Sequence, residues 1–162
     1  MQLRLATLAD AEAIRTIYNA EVTGSTATFD LVPRNPEEQL TWLAEHGGAY
    51  PAIVAEDEDG LVIGFGSLSL YRDRPAYATS VENSVYVGAG HRGSGIGRAL
   101  MDELIRLATQ HGFHTMVARI GDDNAASIAL HFACGFELVG VERQIGRKFG
   151  RWLDISVMQR ML

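Results

Sequence analysis

Glu82 sits inside an apolar run, Val81-Glu82-Asn83-Ser84-Val85-Tyr86-Val87. Side chains on a strand alternate between faces, so Ser80, Glu82, Ser84 and Tyr86 share one face, and Val81, Val85 and Val87 share the other. A lone carboxylate on a strand with an apolar back is partly withdrawn from water. Its proton affinity rises, which suits a base working near neutral pH. Most glutamates are solvated surface groups; what sets this one apart is the loop its strand runs into. Arg92-Gly93-Ser94-Gly95-Ile96-Gly97-Arg98 opens a helical pattern. Small residues there let successive backbone N–H groups turn toward one anion, and the positive end of the helix adds to the attraction. Arg92 and Arg98 bring further positive charge. A glycine-rich helix start without a ligand is the plainer reading. Three glycines in a first turn weaken a helix relative to alanine, however, so a bound group has a cost to offset.

The same stretch carries a second glycine code. Gly88-Ala89-Gly90-His91-Arg92-Gly93 matches the G-x-G-x-x-G dinucleotide fingerprint letter for letter. That reading needs an acidic residue about 20 positions on, to hold the ribose hydroxyls. The chain has His111-Gly112-Phe113-His114-Thr115 there, and Asp122 and Asp123 come too late, beyond the next strand. The unit also begins past mid-chain, leaving too few residues for a second nucleotide half. The anion loop from Arg92 to Arg98 is the better reading.

Two further groups invite chemistry. His131 lies seven residues after Asn124, two helical turns on, so the two share a face. It is a second candidate for proton transfer, set against a histidine that merely packs near a helix end. Tyr71-Arg72-Asp73-Arg74-Pro75-Ala76-Tyr77 brings two arginines just ahead of the Glu82 strand. Arginine grips a carboxylate in a two-pronged geometry, although a solvated hairpin end would look the same. The five histidines do not cluster at metal-ligand spacing, and neither C-x-x-C nor H-E-x-x-H occurs. No metal is expected.

These groups must be positioned by a single domain, the default for 162 residues of which 47% are apolar. A net charge of −6 argues against a nucleic-acid partner. Cys134 is the one cysteine, so no internal disulfide forms and a reducing cytoplasm is expected. No signal-peptide pattern and no membrane-spanning run is present. Residues 2–6 alternate as a strand, and Thr7-Leu8-Ala9-Asp10 begins a helix with a stripe at Ile14, Ile17 and Tyr18. Thr23 to Arg34 reads as a loop, and Pro36-Glu37-Glu38 opens a second helix. Ala52 to Glu56 and Leu61 to Tyr71 form a hairpin across Asp57-Glu58-Asp59-Gly60. Thr79 to Val87 is a strand and Ser94 to His111 a helix ended by Gly112. His114 to Ile120 is a strand and Asp123 to Cys134 a short helix. Phe136 to Val141 and Trp152 to Met161 finish as strands. The order β-α-α-β-β-β-α-β-α-β-β is an α/β (α+β) class, one mixed, mostly antiparallel sheet with helices on both faces. It is not the regular alternation of a doubly wound fold.

With Arg92-Gly93-Ser94-Gly95-Ile96-Gly97 after Val85-Tyr86-Val87, then Asn124, then His131-Phe132-Ala133-Cys134-Gly135-Phe136, the chain resembles the GNAT superfamily of N-acetyltransferases. Four more blocks narrow the match. They are Ser25-Thr26-Ala27-Thr28-Phe29, Arg74-x-x-Tyr77, Val81 to Val87, and Lys148-Phe149-Gly150-Arg151-Trp152-Leu153-Asp154. These are similar to the phosphinothricin and methionine sulfoximine/sulfone N-acetyltransferases, over essentially the whole chain.

The resemblance implies acetyl-CoA as co-substrate. Its pantetheine arm would lie along Val85, Tyr86 and Val87, with the pyrophosphate on the Arg92–Arg98 loop. Asn124 would reach the cofactor from the next helix, and Ala133 would line the same groove. The implied reaction moves an acetyl group from a thioester to the α-amine of a small amino acid. Glu82 would be the general base, directly or through water. A backbone N–H of Tyr86 or Val87 would polarise the carbonyl if the strand splays. His131 stands where many GNAT enzymes have tyrosine; it would protonate the CoA thiolate or simply pack. Phe29, Arg72, Asp73, Arg74, Tyr77, Asn83 and Ser84 would join Glu82 in holding the acceptor. The family pattern has arginine just after the Phe29 position. Asp30 stands there instead, which points away from phosphinothricin and leaves a methionine sulfone, a sulfoximine or another small amino acid. Lys148 to Asp154 would pack against a second subunit in a homodimer. Two other functions fit the same blocks: an acetyltransferase for a protein N-terminus, polyamine or antibiotic, and a non-catalytic acyl-CoA sensor. The paired arginines speak against a cationic acceptor, and the presence of both Glu82 and His131 against a sensor.

Overall fold

A computed structural model describes residues 1–121 and 123–162; Asp122, weighed above as a ribose ligand, lies outside them. The elements are β1 (Gln2–Leu5), α1 (Ala11–Gly24), α2 (Pro36–Ala44), β2 (Ala52–Glu56), β3 (Val62–Leu70), β4 (Ser80–Val87), α3 (Ile96–Gln110), β5 (Thr115–Gly121), α4 (Ala125–Ala133), β6 (Glu137–Lys148) and β7 (Arg151–Met161). All seven strands join one sheet in the order β1-β2-β3-β4-β5-β7-β6. Every pairing is antiparallel except β4 with β5. The expected order and the mixed sheet are both present.

Alternation along the central strands divides the core in two. Ile53, Ile63, Leu68, Val81, Met116 and Met158 turn to the face covered by α3, where Leu100, Met101 and Leu104 are wholly buried. Val54 and Phe65 turn the other way, onto Ile14, Tyr18 and Val22 of α1 and Leu43 of α2. Tyr86 joins this second face, edge-on to Tyr18 at 5.3 Å and stacked on Phe65 at 5.1 Å. Gly66 sets how closely α3 approaches. A Cβ there would stand 2.9 Å from the Leu104 side chain. The α2 helix starts on a full capping box. Asn35 Oδ1 accepts from Glu38 N, and Glu38 Oε2 accepts from Asn35 N.

Two elements run further than the sequence pattern suggests. Helix α1 continues to Gly24, into the stretch expected to be loop. Strand β6 continues to Lys148 rather than ending near Val141, because its register with β7 shifts twice, between Leu138 and Gly140 and between Glu142 and Gly146. Gln144 takes the left-handed conformation inside the second shift, and its N–H donates to Asp154 Oδ1 at 2.7 Å. Such bulges break the alternation by which a strand is read. Among the described residues no helix is long and apolar enough to cross a membrane.

Candidate active site

The parallel pairing of β4 with β5 stops early. Ser80 faces Thr115, Val81 faces Met116 and Glu82 faces Val117; beyond Glu82 neither strand pairs with the other. From there β4 keeps only β3 as partner and β5 keeps only β7. The strands open like a V, with Glu82 at its apex. A cleft of about 620 Å³ occupies the opening, walled by Asn83 to Val87, by Ala118 to Ile120, and by the starts of α3 and α4. Its mouth edges carry backbone N–H and C=O groups without a neighbouring strand.

One end of the cleft meets the glycine loop. Gly93 and Gly95 take φ of 77° and 86°, the left-handed region that glycine occupies without steric cost. Gly95 is the N-cap of α3, and no side chain caps that helix, whereas Asn124 caps α4 by accepting from Ser127 N at 3.1 Å. The first N–H groups of a helix have no partner within it. In α3 they are left for a ligand beside the cleft, which Gly93, Ile96 and Gly97 line. Gly97 also lets the helices close up: a Cβ there would come within 3.3 Å of Leu130.

The cations of this loop are already engaged. Arg92 lines the cleft and forms an ion pair with Glu21, which is buried at the end of α1 and also accepts from Ser25 Oγ at 2.6 Å. Arg98 points elsewhere, gripping Asp102 at 2.8 and 2.9 Å and donating to the carbonyl of Ala133 at 2.8 Å. Neither Arg98 nor Ala133 lines the cleft, and Ser94 is turned back to the His91 carbonyl at 2.6 Å.

His131 lines the cleft from one face of the sheet; Glu82 lies on the opposite face at the apex of the opening, next to Asn83 and Ser84 and not itself among the lining residues. Burial pushes the Glu82 carboxyl above the ordinary glutamate value, and the charge of Arg119 pulls it part of the way back. Arg119 is two residues beyond Val117 on β5, so it shares the face of Glu82 and lines the cleft. Its Nη1 and Nη2 hold both carboxylate oxygens of Glu142, at 3.1 and 2.5 Å. His131 is 4% exposed on the other face. Its Nδ1 meets the Ser127 carbonyl at 2.7 Å and its Nε2 meets Asn83 Oδ1 at 3.1 Å, while Asn83 Nδ2 donates to the Val117 carbonyl at 3.2 Å. A carbonyl only accepts, so Nδ1 carries a proton. Both ring nitrogens thus face oxygen, an arrangement suited to two N–H groups, yet burial pushes the imidazole below the ordinary histidine value.

The remaining sequence candidates divide. Asn83, Ser84, Val85, Tyr86, Val87 and Asn124 line the cleft. Arg72, Asp73, Arg74 and Tyr77 do not: the Arg72 guanidinium lies over the Tyr71 and Tyr77 rings, 5.1 and 5.7 Å from their centroids. Phe29 packs on β6, where a Cβ on Gly146 would stand 2.2 Å from its ring. Asp30 accepts from the Tyr18 hydroxyl at 2.6 Å. Lys148 and Leu153 are buried within the chain, leaving Phe149 and Trp152 exposed. Lys148 Nζ donates to the Thr28 carbonyl at 2.8 Å and to the Glu21 carbonyl at 3.5 Å, and its burial lowers its proton affinity.

Sequence reasoning missed Glu21, Arg119, Asp123 and Arg151, all of which line the cleft. Glu21 was findable, since it continues the α1 stripe three residues after Tyr18. So was Arg119, by strand period from Val117. Asp123 gave no signal: it joins Thr26 Oγ1 at 2.6 Å to Arg151 at 3.2 Å, partners far apart in the chain.

A family model described as "Acetyltransferase (GNAT) domain" matches residues 3–157. The chain belongs to the GNAT acetyltransferase family. A relative from Pseudomonas paraeruginosa, named L-methionine sulfoximine/L-methionine sulfone acetyltransferase, is 42% identical over 97% of this chain and 92% of its own. The structure of a GNAT superfamily phosphinothricin acetyltransferase from Sinorhizobium meliloti, in complex with AcCoA, is 44% identical, with a TM-score of 0.96 over 99% of this chain and 88% of that one. A ribosomal-protein-alanine N-acetyltransferase from Brucella melitensis is 42% identical, with a TM-score of 0.97 over 100% of both chains. The GNAT chain is thus an acetyl-CoA-dependent N-acetyltransferase. Its own residues fit that co-substrate: an uncapped helix start beside two left-handed glycines suits a pyrophosphate, and the unpaired β4 edge suits an amide-bearing arm. Among the described residues of this acetyltransferase, no group of three or more His, Cys, Asp or Glu is placed to hold a metal ion.

Proposed function

We propose that this acetyltransferase acetylates the α-amino group of a small amino acid or analogue, of the methionine sulfone, methionine sulfoximine or phosphinothricin type, by direct transfer. The observation that carries the reading is Glu82: a half-buried carboxylate of raised proton affinity at the apex of the β4–β5 opening. Glu82 takes a proton from the acceptor ammonium, directly or through one water, and the neutral amine can then attack. Acetyl-CoA, when bound, supplies the activated acyl thioester. The backbone N–H groups that β5 leaves free along β4 polarise the thioester carbonyl. His131 donates a proton to the departing sulfur and is recharged from solvent. The nitrogen gives up two protons in all, one to Glu82 before attack and a second as the tetrahedral intermediate collapses. One makes good the proton that His131 gives to the sulfur and the other is released to solvent, so that an ammonium and a thioester become an amide, a thiol and one free proton.

The resemblance supports a methionine-derived acceptor over phosphinothricin, because Asp30, held by the Tyr18 hydroxyl outside the lining of the cleft, stands where the phosphinothricin pattern has arginine. The exposed Phe149 and Trp152 support pairing of two chains through the β6–β7 hairpin, and a single, buried Cys134 supports a reducing cytoplasm. A screen of methionine sulfone, methionine sulfoximine, phosphinothricin, the common amino acids and an alanine-starting peptide, read as CoA thiol release, tests the acceptor class. Turnover confined to the first group is expected. Turnover of the peptide alone would replace this reading with a protein N-terminal one, and an acetyl-CoA-dependent thermal shift without turnover on any amine would make the chain a sensor.

A further inference from the structure

An α-amino acid is a zwitterion, with an ammonium and a carboxylate on one carbon. Reading both ends takes an anion and a cation fixed side by side. Glu82 and Arg119 form such a pair. They project from neighbouring strands onto one face, at the point where β4 and β5 part. Asn83 and Ser84, which flank Glu82, line the cleft, and so does Arg119 itself. The two feel each other's charge.

Arg119 has donors to spare. A guanidinium offers five N–H groups, along an end-on edge and a side-on edge. Glu142 occupies the end-on edge through Nη1 and Nη2. The Nε–H has no partner among the described residues, so the side-on edge formed with Nη2 remains open. Glu142 thereby fixes the guanidinium plane and leaves a bidentate carboxylate seat beside the base. The charges around this seat are Glu82 on β4, Arg119 on β5, Glu142 on β6 and Arg72 in the loop before β4, with Tyr71 beside Arg119. Two arginines and two glutamates sum to zero, which accepts a zwitterion and gives no net attraction to a polyamine or a simple amine.

We propose that Arg119 binds the carboxylate of the acceptor on its open Nε–Nη2 edge while Glu82 faces the ammonium. The cleft then selects free α-amino acids over amines that lack a neighbouring carboxylate. This rests on the reading of Glu82 as the base and assigns the carboxylate to β5 rather than to the Arg72–Arg74 loop.

The test compares methionine sulfone with its carboxamide and with the corresponding decarboxylated amine, using wild type and Arg119→Ala. In Arg119→Ala the KM for methionine sulfone should rise about tenfold or more, the loss of one charge-assisted hydrogen-bonded pair. The KM for acetyl-CoA should stay unchanged, and the preference for the free acid over the carboxamide should collapse. Arg119→Ala leaves Glu142 unpaired, so Arg119→Ala/Glu142→Ala keeps the test sound. It should show the same loss of preference while its melting temperature still rises with acetyl-CoA. Methionine sulfone turnover with the preference intact in both variants overturns the Arg119 assignment alone. A wild type that acetylates the carboxamide or the amine but no free amino acid overturns the acceptor class and this inference together.

Discussion

At the scale of the residue, the site turns on how little water reaches two titratable groups. Glu82 is a carboxylate with raised proton affinity, so it works as a base only above its shifted pKa. The kcat/KM profile should therefore fall on the acid side at a pH above the ordinary glutamate value of 4.5. Glu82→Gln should remove that limb and lower kcat/KM by about a hundredfold or more, the usual weight of general-base catalysis. Unchanged turnover in Glu82→Gln would sink the assignment. His131 and His46 are both held below the ordinary histidine value of 6.5, chiefly by burial. A histidine with a depressed folded pKa is less protonated in the folded than in the unfolded chain. Its contribution to stability is thus complete above pH 6.5 and is lost as pH falls toward the folded value. The urea midpoint should drop between about pH 7.5 and about pH 5.5, and a His46→Gln/His131→Asn double variant should show a flatter dependence.

At the scale of the element, the decisive event is a strand pair that comes apart. The sequence marks Glu82 as unusual by period alone, but nothing in Val81 to Val87 says that pairing with β5 ends there; that depends on the path of β5, which stays paired to β7 along its whole length. The loop Arg92–Arg98 was legible because backbone conformation limits which residues can stand in it. Gly95→Ala tests this. Alanine at φ 86° costs about 1–2 kcal/mol of strain, and the KM for acetyl-CoA should rise more than the KM for the amine. The reach of Arg98 was legible but unused: Asp102 stands one helical turn on, at the i,i+4 spacing where opposite charges meet on a helix surface. The place of Lys148 itself was not legible, because its amine closes the end of α1 and steadies Thr28, segments far away in the chain. Lys148→Met should cost about 1–3 kcal/mol by taking the Lys148 donor from the buried Thr28 carbonyl, measurable as a lowered melting temperature.

At the scale of the whole molecule, the element order and the two-faced core follow from periodicity, and the residues that bind across the cleft do not. Glu21 to Arg92, Thr26 to Asp123 and Arg119 to Glu142 each join segments that are distant in the chain. Only the closed sheet brings them together. The outer edge is unfinished in the same sense: Val139, Ile145, Phe149 and Trp152 on the β6–β7 side are each more than half exposed. Sedimentation should find a dimer, and Trp152→Glu should give a monomer that still binds acetyl-CoA. A monomeric wild type would refute the pairing. Lys148 has one more consequence. It is the only lysine in the chain, and it lies under the β6–β7 turn with 4% exposure. Every other basic chain is an arginine or a histidine. Apart from the terminus, the surface therefore offers no primary amine, so a protein built to hold an activated acyl group presents almost nothing of its own to be acylated by accident.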